Sequence, residues 1–588
     1  MEPSVSSVRL DHLGLPAVMA DEIDFVGTID RMMGTDPRAT LSCGQAILAM
    51  CLNALGFSSK PLYLSPEFFK RRDLKFLLGV SVTRPNLELK PDHLNEHKLG
   101  RVLDAIADFG PEKLFLGISA TAFRRMNVHV PQAHLDTTTH SFFGQYEDEH
   151  GNPSPGFFTP ADPEDDPTEV LITQGYSKDF RIHCKQIVQE LVVSADGDVP
   201  LLFQAHSGNA SDVVIMQERM NSLKRCLVAA DAIDLMPEVL VADCKMYSRQ
   251  GLETAEREMT TWITRVPDTI SEVEDVINQA LRARGHWHKS DRDPNISFQE
   301  FIVEKFGIEQ RFLVVRTKGS KDRIAKSMPR KIAKDKEAIE KNLRSLRKMS
   351  FACLPDLKAS VLKACEGAAF HRLEDFEYTE SEGRRGRGRP RKDAPSDGIV
   401  RELRLGDVRL QIDEQAVRQC ELRSACFVIA TNALSAEPSA DKDAWQKVRS
   451  SEEVLGAYLK DQQGVERSFR FLKDPQYFAD AFFLKNPRRV VALLMVMTCA
   501  LLLHSLLQRK IRLKLAELGA TIPDQKNKPT SRPTIRWVNQ RFEGVDVIKI
   551  VMQESVRFIY QAVDDFVNLV LRVLGPPYVE RYTPVHLS

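Results

Sequence analysis

The hydrophobic pattern changes period once along this chain, near residue 126. Before it, apolar positions recur at helical spacing. LSCGQAILAMCLNALG (41–56) has a Ser near its N-terminal end and closes on a Gly, the start and stop signals of a helix. DHLNEHKLGRVLDAIADFG (92–110) places Leu94, Leu99, Val102, Leu103 and Ile106 on one helical side. No strand signal interrupts this region, so residues 1–125 predict a small helical domain. Beyond it, MNVHVPQAHLD (126–136) reads as a strand ending on Asp136. A polar, acidic, Pro-rich stretch (147–168) predicts a solvated loop. VQELVVSA and VPLLFQAH flank DGD (196–198), a hairpin signal. SDVVIMQERMNSLKRCLVAAD then sets Val213, Met216, Met220, Leu223 and Leu227 at helical period. EVLVAD (238–243) is a short buried-type strand ending on Asp243. RQGLETAERE (249–258) reads as helix and TTWITRVP (260–267) as strand.

Strand, hairpin, helix, strand, helix, strand is the order of an α/β sheet with an antiparallel hairpin and crossover helices. It is also the order of the RNase H-like fold. There the first and fourth strands are parallel neighbours about 4.8 Å apart. Both of those strands are predicted here to end in Asp. Residues 268–435 form a different block, predicted as an inserted α+β subdomain. Within it, residues 317–349 hold twelve Lys/Arg against four Asp/Glu. GRRGRGRPRK (383–392) follows between two strand-like segments, and ACFVIATNAL (425–434) returns to a buried strand. Residues 436–510 are assigned back to the sheet domain. Residues 511–588 predict a helical tail. No internal repeat is present.

Composition narrows the field only locally. The chain has 588 residues, enough for about four domains. Its net charge is zero, so only local clusters can speak for a polyanionic partner. Ten cysteines are scattered without CxxC spacing, which fits free thiols in a reducing cytoplasm. MEPSVSSVRLDHLG lacks a basic and then apolar leader, so export is not predicted. VVALLMVMTCALLLHSLL (490–507) has nearly the length of a membrane span. It is the only such stretch and lies between polar helical segments, so burial in a large core is expected rather than membrane contact.

One constellation carries chemistry. Asp136 and Asp243 follow buried strands, and Glu466 sits in YLKDQQGVERSFRFLKDP, where Val465, Phe469 and Leu472 fall on one helical face. Three converging carboxylates repel unless divalent cations join them. Oxygen ligands suit Mg²⁺ or Mn²⁺. Two such ions can activate an attacking oxygen and stabilise a leaving one in phosphodiester chemistry. Each residue singly is an ordinary turn former or cap. On the helix, Tyr458, Gln462, Glu466, Arg470 and Lys473 are predicted along one side. Without other information that row would be a chain of i,i+4 salt bridges.

The segments HLDTTTHSFFGQY, GYSKDFRIHCKQI, HSGNASD, VLVADCKMYS, WITRVP, FVIATN and VERSFRFLKDPQYFADAFFLKNPRRVVAL resemble DDE-class insertion-sequence transposases, in the branch whose glutamate helix carries a YREK signature. The resemblance spans about residues 90–510. It implies that Asp136, Asp243 and Glu466 bind two catalytic metal ions and that Lys473 is the signature lysine. The signature Tyr and Arg positions hold Leu459 and Gln462 instead, with Tyr458 one residue away. The resemblance further implies DNA as partner, cleavage at element ends, strand transfer into a target, and a homodimer pairing two ends.

Other residues add to this picture. Lys178 and Arg181 precede the second strand and could hold DNA, as could Arg470. Arg387, Gly388, Arg389 and Pro390 form an AT-hook-like core suited to a narrow minor groove, or else a basic linker. Ser211 or Asn209 is expected to cap the helix after HSGNASD. His134 and His140 flank Asp136 and are expected to be structural or to support a metal ligand. Competing readings are an inert DNA-binding protein of the same fold and a nuclease that never rejoins ends.

Overall fold

The computed structural model describes residues 4–147, 151–152, 154–160, 168–176, 178, 181, 183–283, 286–384, 399–434, 449–461, 463–474, 484–552 and 555–582. The chain forms two compact units. One comprises Met1–Arg265, Glu304–Gln310 and Thr431–Ser588, the other Val266–Val303 and Arg311–Ala430.

The first unit is built on five core strands: β1 (Ala133–Phe142), β2 (Lys185–Ser194), β3 (Val199–Ser207), β4 (Leu240–Ala242) and β5 (Trp262–Arg265). Their spatial order is β3–β2–β1–β4–β5. The β1/β2 and β2/β3 pairs are antiparallel, and β1/β4 and β4/β5 are parallel. This mixed order is that of an RNase H-like core. The β2–β3 hairpin turns through Gly197 (φ +91°) and Asp198 (φ +59°). Two left-handed residues match the strand twist, as the DGD signal predicts.

A 31-residue helix, Pro487–Glu517, runs through this unit. Its apolar window is 89% buried. Helices Gly14–Glu22, Cys43–Leu55, Glu96–Phe109 and Pro111–Arg125 pack on it, as does β3. Polar contacts pin the packing. Arg489 bonds Asp104 at 2.7 Å through two nitrogens. Arg509 bonds Asp196 at 2.7 and 2.9 Å and the carbonyls of Met126 and Asn127 at 3.0 Å. Ser119 Oγ donates to the Leu201 carbonyl at 2.7 Å. The N-terminal helices therefore share one compact unit with the sheet.

Two expectations change here. Ser4–Arg9 is a strand, pairing antiparallel with Asp546–Met552, which pairs in turn with Ser555–Gln561. The first segment is thus not wholly helical, and neither is the tail. Tyr582 Oη donates to the Asp11 carbonyl at 2.7 Å, which ties the two segments further.

In the second unit, His371–Arg384 and Ile399–Ile412 form a long antiparallel hairpin. It packs with helix Lys318–Leu346 and helix Leu354–Cys365 around Ile339, Leu343, Leu357, Val361, Leu403 and Leu405. Arg387, Gly388, Arg389 and Pro390 lie outside the described residues, between the two hairpin strands.

Candidate active site

Strand β4 is only three residues long, and that length shapes the site. Its parallel pairing with β1 ends at Leu135 opposite Ala242. The next residue on each strand is an Asp, so Asp136 and Asp243 leave the same point of the sheet side by side. Asp136 does not end its strand, as the pattern predicted. β1 continues to Phe142 on the strength of its pairing with β2. Asp243 leaves β4 in extended conformation and caps the short turn Cys244–Met246, accepting from Cys244 N at 2.6 Å. Thr264 Oγ1 on β5 donates to the Asp243 carbonyl at 2.9 Å.

Burial pushes the Asp136 carboxyl up to about 6, and the neighbouring Asp243 pushes the same way. Lys178, the backbone N–H of Thr137 and Lys245 oppose that shift. Thr137 N donates to Asp136 Oδ1 at 2.7 Å. Lys178 Nζ donates to the Thr137 carbonyl at 2.7 Å and to Thr137 Oγ1 at 2.6 Å.

Asp212, the first residue of helix Asp212–Ala229, organises the cations. It accepts from Thr137 Oγ1 at 2.6 Å, pairs with Lys178 at 3.2 Å and bonds Lys245. Lys245 has its pKa lowered by burial and by Lys178. Asp212, Lys245 and Thr137 were not picked out from sequence. The signal was present in HSGNASD and VADCK, but only the fold joins the two segments. Ser211 is the N-cap residue of this helix, yet its side chain makes no capping bond.

Glu466 lies on helix Gln463–Leu472. Val465, Phe469 and Leu472 are buried, and the helix packs on β1, β2 and the 31-residue helix. Glu466 and Arg470 are exposed. Among the described residues no Glu466–Arg470 salt bridge forms. Arg467 instead pairs with Asp198 in the β2–β3 turn at 2.8 Å. The predicted row beginning at Tyr458 is broken, because Ala457–Asp461 is a π-helical turn. That turn adds a residue to the repeat and leaves Tyr458 buried at 9% exposure. Arg470 lines a pocket of about 250 Å³ with Arg467, Phe471, Asp474, His504 and Arg536. Lys473 is half-buried just past the helix, and Arg181 is exposed ahead of β2.

The structure thus joins Asp136 to Asp243, with Lys178 and Lys245 beside them. Among the described residues no three His, Cys, Asp or Glu side chains converge as a metal site, so Glu466 is not gathered with the aspartates. The adjacent, half-buried aspartate pair does suit a divalent cation. The flanking histidines have other surroundings. His140 Nε2 bonds Gln189 at 2.6 Å. His134 is buried, with its pKa lowered to about 4.

The strand order defines an RNase H-like core, with the two aspartates side by side on it. Sequence comparison gives the family. Residues 166–503 match the family described as "Transposase DDE domain", and residues 5–120 match a "Domain of unknown function (DUF4277)". The chain belongs to the DDE-class transposases. Asp243 and Glu466 fall inside the transposase match, while Asp136 lies between the two matched stretches. A search of curated proteins gave no match. Among solved structures, "Cryo-EM structure of piggyBac transposase synaptic complex with hairpin DNA (SNHP)" is similar at 8% identity and a TM-score of 0.35. That comparison covers 99% of this chain and 85% of that one.

Proposed function

We propose that this chain cuts DNA at the ends of a mobile element and joins the freed 3′ ends to a target. The observation that carries the reading is the β1/β4 register, which sets Asp136 beside Asp243 in a chain of the transposase family. Asp136, Asp243 and Glu466 are the residues that would hold Mg²⁺ or Mn²⁺. When bound, two such ions supply Lewis-acid activation of the attacking oxygen and charge relief at the leaving one. Lys178 and Lys245, fixed by Asp212, present positive charge to the scissile phosphate. Lys473 and Arg470 hold the cut strand, helped by Arg181, while Tyr458, buried by the π-turn, takes no part. Arg387, Gly388, Arg389 and Pro390 add minor-groove contact, and residues 1–125 read the end sequence. A homodimer pairs two ends. The exposed position of Glu466 implies that its helix moves toward the aspartates when DNA and metal are bound.

Incubation with Mg²⁺ and DNA carrying candidate ends tests this. Strand-transfer products are expected from the intact chain and none from Asp243→Asn. Cleavage without joining would make the protein a nuclease. Binding without cleavage would leave it an inert DNA-binding member of the fold.

A further inference from the structure

Helix Lys318–Leu346 in the second unit sorts its charges unusually. At about 100° per residue, Arg323, Lys326, Arg330, Lys334, Lys341 and Arg344 fall within an arc of about 80°. All six are exposed. The opposite side carries the buried residues Met328, Ile339 and Leu343. From Arg323 to Arg344 the stripe runs about 32 Å, at about 1.5 Å per residue.

A solvated helix face ordinarily interleaves acids with bases at i,i+4. Here two of the four acids are engaged elsewhere. Asp335 accepts from the backbone N–H of Ala369 and Phe370 at 2.9 and 3.0 Å and bonds His371 Nδ1 at 2.7 Å. Glu340 pairs at 3.5 Å with Arg347, which also reaches the Gly406 carbonyl. Of the other two, Glu337 lies within the arc and the exposed Asp322 just outside it, four residues before Lys326, against six cations on the stripe. Among the described residues none of the six cations is in an ion pair. Like charges at i,i+4 repel, and a polyanion laid along them removes that cost.

We infer that this stripe is a docking face for the sugar-phosphate backbone of duplex DNA, sequence-independent and about nine base pairs long at about 3.4 Å per pair. The choice of DNA rests on the transposase reading above; the polyanion character rests on the stripe alone. The face would hold flanking or target DNA, whose sequence the protein need not read.

The test compares two charge-neutralised variants of the full chain on a 30-base-pair duplex of arbitrary sequence across a salt series. Arg330→Gln/Lys334→Gln lies on the stripe, and Lys321→Gln/Lys336→Gln lies off it. All four side chains are exposed, so folding is expected to be retained and circular dichroism confirms it. The on-stripe pair should reduce the slope of log K against log salt by about 2, at about 0.9 per phosphate. The off-stripe pair should leave it unchanged. Equal effects from both pairs, or none from either, would overturn the assignment. So would a loss confined to an RNA duplex. Mg²⁺-dependent cleavage by the parent chain and by Asp243→Asn is scored separately. An inactive parent whose on-stripe variant still lowers the slope would defeat the catalytic reading and leave this face standing.

Discussion

Asp136 holds its proton more tightly when the chain is folded, because burial and Asp243 raise its pKa from 3.8 to about 6. The folded state gains from this group below the unfolded value, and the gain is lost as pH rises through about 6. Asp136→Asn removes the titration and should abolish cleavage. It should also raise the thermal unfolding temperature at pH 8, with that advantage gone at pH 4. An equal gain at both pH values would mean that Asp136 does not carry the shift. Mg²⁺ is expected to raise the unfolding temperature of the parent at pH 8 and to do so less in Asp136→Asn, since a ligand of the native state stabilises by mass action. Asp212→Asn should act differently. It keeps the shape but removes the charge that holds Lys178 and Lys245, so affinity for uncut DNA should weaken together with the rate. A change in neither would leave Asp212 a purely structural residue at the helix start.

The glutamate helix shows what a short element asks of its apolar face. Val465, Phe469 and Leu472 fix which side of the helix meets the sheet, and so fix the side on which Glu466 is presented. Leu472 is fully buried. Leu472→Ala should cost about 2–5 kcal/mol in urea unfolding, and a smaller loss would mean that the helix is loosely seated. This face was legible in sequence because its period is regular. The π-turn before it was not, since nothing in AYLKD marks an extra residue in the repeat. The two candidate aspartates were legible because a buried apolar run stops at each. Their neighbours Lys245 and Asp212 were not, because a helix start and a strand end meet only in the folded sheet. Strand Ser4–Arg9 was missed for the same reason. SVSSVR is short and weakly apolar, and its partner lies more than 500 residues along the chain.

At the scale of the whole molecule, the first 125 residues do not stand alone. Helices Cys43–Leu55 and Glu96–Phe109 bury their apolar sides on Pro487–Glu517. Residues 1–125 expressed alone should therefore lack cooperative thermal unfolding and show poorly dispersed amide spectra. A sharp transition from that fragment would restore the picture of an independent end-reading domain.

The pairing of Ser4–Arg9 with Asp546–Met552, closed by Tyr582 on Asp11, also fixes a schedule. At roughly 5–20 residues per second, a ribosome needs on the order of 30 s to 2 min to reach residue 582. Once Ala430 has been made the second unit has all its parts in hand, while the first still awaits a long helix and the strand Asp546–Met552. The aspartates are synthesised early, but the unit around them is complete only once Asp546–Met552 has been made. A chain broken off between Glu517 and Asp546 would carry all three carboxylates and still lack the strand that pairs with Ser4–Arg9.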